Sequence, residues 1–390
     1  MTIRGDPGPA ACRMIRTPAH SKERAHAPAV HIPDQSLPAP PQPVRAMKAV
    51  VIHAAGDLRI EERPSETPGA DQVRVAIARG GICGSDLHYF SHGGFGAVRL
   101  REPMILGHEV SGRVVECGAD VHGLSVGDLV AVSPSRPCGG CAQCHAGRPN
   151  HCENMRFYGS AMPFPHVQGA FRQELVADAA QCVPANGLTP EEAAMAEPLA
   201  VTLHAARRAG ELLGKRVLVT GCGPIGLLSI LAARHAGAGE IVATDLSDFT
   251  LGTARRIGAD VTINSRTDPE AMSGYAQGKG SFDVLFECSG AAAAIAPALA
   301  AMRPRGVVVQ LGLGGDMSLP MGLVTTKELD LRGSFRFHEE FAEGVAAMRA
   351  GRIDVAPLLT HTVGLDEARA GFELAGDRGR AIKVQIRFDA

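Results

Sequence analysis

Four cysteines crowd one short stretch, Cys138-Gly-Gly-Cys141-Ala-Gln-Cys144, with Cys152 following a turn-prone Gly-Arg-Pro-Asn. A loop can wrap a zinc ion with four thiolates in a tetrahedron, and this spacing suits that. Free thiols or a pair of disulfides are the other readings of the same residues. A closed four-thiolate site leaves no position for a substrate, so chemistry has to come from elsewhere. Cys83-Gly-Ser85-Asp86-Leu-His88-Tyr89 and Gly107-His108-Glu109 supply a second donor set. Cys83 and His108 are ligands suited to zinc, while Glu109 and Glu197 offer oxygen ligands or a hold on a bound water. Taken singly, each has a plainer role: a small core thiol, a satisfied loop histidine, solvated carboxylates. Spacing alone does not bring Glu197 to Cys83.

A third group of residues points to a nucleotide. Gly221-Cys-Gly223-Pro-Ile225-Gly226 follows an apolar run and opens a helical pattern, the context that a G-x-G-x-x-G motif requires. The first glycine permits a tight turn, the second lets backbone approach a pyrophosphate, and the third lets helix and strand pack closely. The helix start offers free N–H groups and the positive end of its dipole. Asp245 stands nineteen residues after Gly226, where a carboxylate holds the ribose hydroxyls and repels a 2′-phosphate. Gly221, Gly223, Ile225, Gly226 and Asp245 are therefore candidate cofactor contacts. They favour NAD, and NADP stays open. The plainer alternative is a glycine turn with a capping aspartate.

These residues need two kinds of frame. From Met47 to about residue 200, short strands such as 48–52, 72–78, 112–117 and 129–132 alternate with Gly- and Pro-rich turns, as in an irregular β-rich domain. Near residue 215 strands begin to alternate with helices: 216–221, a helix over 224–236, 240–245, 282–288, an alanine-rich helix over 291–302, and 306–313. That alternation predicts a parallel, doubly wound sheet, an α/β fold. After about residue 335 the pattern ends, which predicts a tail returning to the first domain. The expected division is 47–202 with 335–390 as one domain and 203–334 as the nucleotide domain inserted into it.

Composition narrows the partners. The chain of 390 residues carries a net charge of −2 and has no basic stripe, so no nucleic-acid footprint is present. No apolar run reaches membrane-spanning length. The six cysteines outside the cluster, at 12, 83, 117, 182, 222 and 288, are scattered, which fits a reducing cytoplasm. Residues 1–46 hold nine prolines and no lasting apolar period. They read as a disordered extension, or as translation assigned upstream of a natural start at Met47.

Together these motifs resemble the zinc-dependent medium-chain alcohol and polyol dehydrogenases, from Met47 to the C-terminus. The resemblance implies a GroES-like catalytic domain with a Rossmann domain inserted before its last segment. It implies two zincs: Cys83, His108 and Glu109 at a catalytic one, and Cys138, Cys141, Cys144 and Cys152 at a structural one. Glu197 stands where the alcohol branch carries a ligand cysteine and the polyol branch a glutamate, binding zinc directly or through water. The stretches 79–89, 154–167, 196–201 and 331–337 narrow the resemblance to enzymes of sugar acids and polyols. The full cysteine set agrees, since mammalian-type members of the polyol branch usually lack it. By the same resemblance Ser85 accepts the hydroxyl proton and passes it through the cofactor ribose to His88, with Asp86 orienting the His108 ring. Tyr89 and Arg336 contact the substrate. The plainer roles are a surface histidine for His88, ordinary packing for Tyr89, an ion pair with Glu197 for Arg336, and salt bridging for Arg156. Where the polyol branch has an arginine five residues beyond the ribose aspartate, this chain has Thr250. The implied activity is hydride transfer between a secondary alcohol and NAD(P), in a homodimer or homotetramer. Two rivals remain: a sorbitol- or xylitol-type dehydrogenase, and a nonenzymatic NAD(P)H-binding sensor.

Overall fold

The computed structural model describes residues 46–389. The expectation for the N-terminal extension thus falls on residues outside the described ones, except Ala46, which opens a strand, Ala46–Ala54. Among the described residues, no helix is long and apolar enough to cross a membrane.

Two large sheets carry the candidate residues. The first has seven strands, built mainly from residues 72–184 and paired antiparallel. Its central strand, Gln72–Gly81, alternates apolar and half-exposed positions, so Val73, Val75 and Ile77 face one core. The chain's last strand, Lys383–Arg387, joins this sheet antiparallel to Gln72–Gly81, with Gln385 opposite Gly81. The strand Leu359–Gly364 completes that edge, in parallel. The tail therefore pairs with strands some three hundred residues earlier.

The second sheet is wholly parallel. Its spatial order is Val261–Asn264, Glu240–Asp245, Arg216–Thr220, Phe282–Glu287, Met302–Gln310, Asp330–Gly333. Val217, Leu218 and Val219 are fully buried, as expected of a strand covered on both faces. The order reverses between Arg216–Thr220 and Phe282–Glu287, and a crevice for ligands opens at the carboxyl ends of such strands.

Two local outcomes differ from the sequence pattern. The alanine-rich helix ends at Ala301, and the next strand begins at once with Met302, which pairs with Phe282 ahead of a register shift. Burial of Met302 against that strand overrides its helical propensity. The expected break at 202/203 also falls inside one continuous helix, Ala196–Ala209. Nothing in Val201-Thr-Leu-His204 breaks a helix, and its alanines are buried in the core that also contains Val217 and Val219.

Candidate active site and metal centres

Cys83 caps the start of the helix Gly84–His92, and its N–H donates to Asp86 Oδ2 at 3.0 Å. Glu109 opens the strand Glu109–Cys117, with His108 just before it. Gly107 takes φ 90°, and a Cβ there would strike the Phe171 ring, so only glycine turns the chain into this position. The result gathers one donor atom each from Cys83, His108 and Glu109, all within 4.8 Å of one another. Asp86 is fully buried, accepts from Gly107 N–H at 3.2 Å, and lies 3.7 Å from His108 Nδ1. Burial, then the Glu109 charge, pushes the Cys83 thiol up to about 12. A half-buried thiol, a buried imidazole and a buried carboxylate converge here, and a divalent cation would displace that proton and satisfy all three. The donor set fits zinc.

Glu109 also has a partner that sequence reasoning missed. Lys383, itself 2% exposed, places Nζ 2.8 and 2.7 Å from the two carboxylate oxygens and 3.3 Å from Ile82 O. The available signal was a lysine inside the apolar strand run Ala381-Ile-Lys-Val-Gln-Ile386.

Glu197 sits in the first turn of Ala196–Ala209 and is buried. Burial pushes its carboxyl up to about 8, with His108 pulling the other way. It lies near the cluster, but outside the donors that are all within 4.8 Å of one another. Arg336 takes φ 57°, a left-handed conformation costly outside glycine. Its guanidinium carbon lies 4.5 Å from the Phe157 ring centroid and 4.7 Å from that of Phe335, and Nη2 is 3.5 Å from Met162 Sδ. Among the described residues it forms no ion pair, with Glu197 or any other carboxylate, and burial lowers its pKa. Tyr89 is 2% exposed, and its hydroxyl accepts from Ala161 N–H at 3.0 Å. Ser85 and His88 share one face of Gly84–His92, three residues apart. Burial, then the His92 and Arg378 charges, lowers the His88 pKa. Arg156 is exposed on a two-residue strand beside Arg136.

The four clustered cysteines also meet within 4.8 Å, and none of the nine described cysteines is in a disulfide. Cys141 Sγ lies 3.6 Å from Cys144 Sγ and 3.9 Å from Cys152 Sγ. N–H groups of Cys138 and Asn154 point at Cys152 Sγ, at 3.2 and 3.3 Å. Hydrogen bonds from Gly140 and Asn154 bring the Cys138 thiol down to about 6. Burial and the neighbouring thiols push Cys144 the other way, to about 12, so the crowded sulfurs call for a cation, and the four-sulfur set fits a zinc. The loop also braces the segment that carries Arg336: Asn150 Nδ2 donates to Phe335 O at 3.1 Å.

At the second sheet, Gly221 takes φ 82°, and Gly223 precedes the helix Pro224–His235. A Cβ on Gly226 would collide with Gly221 O, so helix and turn are in backbone contact. Ile225 lies in the first turn of that helix, its carbonyl accepting from Ser229 Oγ at 2.8 Å. Asp245 Oδ2 accepts from Cys222 N–H at 2.6 Å, and Oδ1 from Leu246 and Ser247 N–H at 2.7 and 2.9 Å. These bonds hold the carboxylate at the mouth of the glycine turn, which fits a dinucleotide with its ribose at Asp245. Thr250 is buried and bonds Ser247 O at 3.0 Å, so it offers no surface to an adenine.

Residues 69–187 match the family described as Alcohol dehydrogenase GroES-like domain, and residues 224–350 match Zinc-binding dehydrogenase. The chain is 45% identical over 316 residues to L-idonate 5-dehydrogenase (NAD(P)(+)) of Escherichia coli strain K12, covering 80% of this chain and 91% of that one. It is 38% identical to sorbitol dehydrogenase of Gallus gallus, covering 87% and 96%. The crystal structure of L-idonate 5-dehydrogenase from Escherichia coli K-12 superposes with a TM-score of 0.84 at 42% identity, covering 88% of this chain and 98% of that one.

Proposed function

Because the chain belongs to the zinc-dependent, NAD(P)-linked alcohol dehydrogenases, with their GroES-like and Rossmann-type domains, we propose that it oxidises a sugar acid, L-idonate, to 5-dehydro-D-gluconate. The observation that carries the substrate is Arg336. A cation stacked between two rings, without a carboxylate partner among the described residues, awaits an anion near Glu197. A guanidinium fork suits a carboxylate.

When bound, the zinc supplies Lewis acidity toward the hydroxyl oxygen, and the nicotinamide accepts the hydride. Cys83, His108 and Glu109 would hold the metal, and Asp86 fixes the His108 ring. Ser85 takes the hydroxyl proton and passes it toward His88, whose lowered pKa keeps it a neutral acceptor near pH 7. Glu197, with its carboxyl near 8, carries or releases a proton beside the donors. Tyr89 steadies the substrate through its remaining hydroxyl proton. Cys138, Cys141, Cys144 and Cys152 would hold the second zinc. Gly221, Gly223, Ile225 and Gly226 receive the pyrophosphate, and Asp245 favours NAD over NADP. A cytosolic homodimer or homotetramer, with residues 47–202 and 335–390 as catalytic domain and 203–334 as cofactor domain and the helix Ala196–Ala209 running across that boundary, completes the proposal.

The test is a substrate panel: L-idonate, sorbitol and xylitol, each with NAD and NADP. Highest kcat/KM on L-idonate is expected. A higher value on sorbitol or xylitol would replace the sugar acid with a polyol. Asp245→Ser should shift the NAD/NADP ratio of kcat/KM by about tenfold toward NADP, and an unmoved ratio removes Asp245 as the discriminating residue.

A further inference from the structure

Glu287 ends the strand Phe282–Glu287 and is fully buried. No lysine, arginine or histidine lies within ion-pair distance of it among the described residues. Every partner of its carboxylate is a donor. Oε1 accepts from Thr220 Oγ1 at 3.3 Å, from Ser289 N–H at 3.0 Å, from Gly290 N–H at 3.2 Å, and from Ser289 Oγ. Oε2 accepts from Gly290 N–H at 3.1 Å and Gln310 Nε2 at 2.6 Å. Its backbone carbonyl accepts from Leu311 and Gly312 N–H, both at 2.9 Å. One residue thus ties the carboxyl ends of three parallel strands to two turns, 288–290 and 311–314.

The turns themselves meet backbone to backbone. Gly290 takes φ 61°, and a Cβ on it would lie 2.8 Å from Gly314 N; one on Gly221 would lie 2.8 Å from Ser289 N. A buried carboxylate met only by dipoles costs stability, and a sheet interior does not require one. What it does achieve is a set of charge-assisted hydrogen bonds that hold both turns at one height. Those turns sit at the switch point of the sheet. Asp245 marks the adenosine side of the crevice, so the other half of a dinucleotide extends over 288–290 and 311–314.

We propose that Glu287 is the positioning residue for the nicotinamide half of the cofactor, acting through these two turns. This rests on the NAD(P) reading above. The experiment compares NADH with ADP-ribose, which keeps the adenosine and pyrophosphate and lacks the nicotinamide. Both are titrated calorimetrically into the zinc-loaded enzyme and its Glu287→Gln variant, alongside thermal melts. The amide nitrogen of Gln would face the donors of Gly290 or Gln310. The expected result is a loss of NADH affinity of about tenfold or more, with ADP-ribose unchanged within about twofold. Equal losses for both ligands, or none for either, overturn the proposal. If Glu287→Gln does not fold, Ser289→Ala is read the same way, with a selective NADH loss of about threefold expected and an unselective or absent one overturning it. A parent enzyme that binds neither ligand would overturn the cofactor reading itself, and the proposal with it.

Discussion

Lys383 and Glu109, 274 residues apart, form a buried pair in which one ammonium bridges both carboxylate oxygens at 2.8 and 2.7 Å. The lysine lies on the last strand of the described residues, and the glutamate opens a strand beside Cys83 and His108. The pair fixes where Glu109 stands relative to Cys83 and His108, and it makes the returning tail part of the site. Without the ammonium, Glu109 is a buried charge that has lost its counter-ion. In zinc-free protein, Lys383→Met should therefore lower unfolding free energy by about 3–5 kcal/mol, read from urea titration. Zinc should recover part of the loss, because the cation replaces the ammonium as counter-charge. An unchanged urea midpoint would show that the lysine does not hold the carboxylate.

The two donor sets should separate cleanly by metal analysis. Cys83→Ala and Cys138→Ser should each remove one of two zincs per chain. The first should lower turnover by about a thousandfold or more while leaving the melt close to the parent. The second should lower the melting temperature by more than about 5 °C, because the 138–152 loop loses the ion that closes it. Full zinc content in both variants would refute the assignment of these donors.

Arg336→Met keeps bulk between Phe157 and Phe335 but removes the charge. KM for L-idonate should rise about tenfold to a hundredfold, and KM for sorbitol by less than about threefold. Arg336→Lys should not restore the parent value, since a flat guanidinium stacks on two rings and an ammonium does not fork. Equal losses on acid and polyol would end the carboxylate-specific role.

Glu340 binds the helix Glu340–Arg349 to Ala196–Ala209, which carries Glu197. Burial works against its charge, but the His204 ring at 3.0 Å and His338 N–H at 2.9 Å hold its carboxyl down to about 2, and the Arg207 guanidinium lies on the same oxygen at 3.1 Å. A depressed folded-state pKa contributes stability that is complete above the unfolded value of 4.5 and is lost as pH falls toward about 2. At pH 7, Glu340→Gln should be less stable than the parent by about 3 kcal/mol, and the gap should shrink steadily below pH 4.5. A gap independent of pH would mean that the ionised carboxylate is not what His204, Arg207 and the His338 N–H hold. Acid loss of metal affects both proteins and cancels in the comparison.

Local spacing made a good part of the site legible. The four clustered cysteines lie within residues 138–152, and the G-x-G-x-x-G turn and Asp245 lie within residues 221–245, so in each group the covalent chain largely dictates which atoms can meet. The doubly wound sheet was legible for the same reason: an apolar strand, a helix and the next strand are one continuous pattern. The start of the strand at Met302 was not, because propensity favours helix there and only pairing with Phe282 decides otherwise.

The donor types, the cofactor turn and the class of sheet follow from the sequence by itself, because residue chemistry and short-range period are properties of the chain. Tertiary structure decided how the two carboxylates stand with Cys83 and His108. It set Glu109 within their reach and gave it Lys383, and it left Glu197 beside them with its carboxyl near 8. It also stacked Arg336 between Phe157 and Phe335 and gathered two turns onto Glu287. Each of those outcomes draws in a residue far away in sequence, Lys383 for Glu109, Phe157 for Arg336 and Gln310 for Glu287, where burial and packing, not spacing, fix the distance.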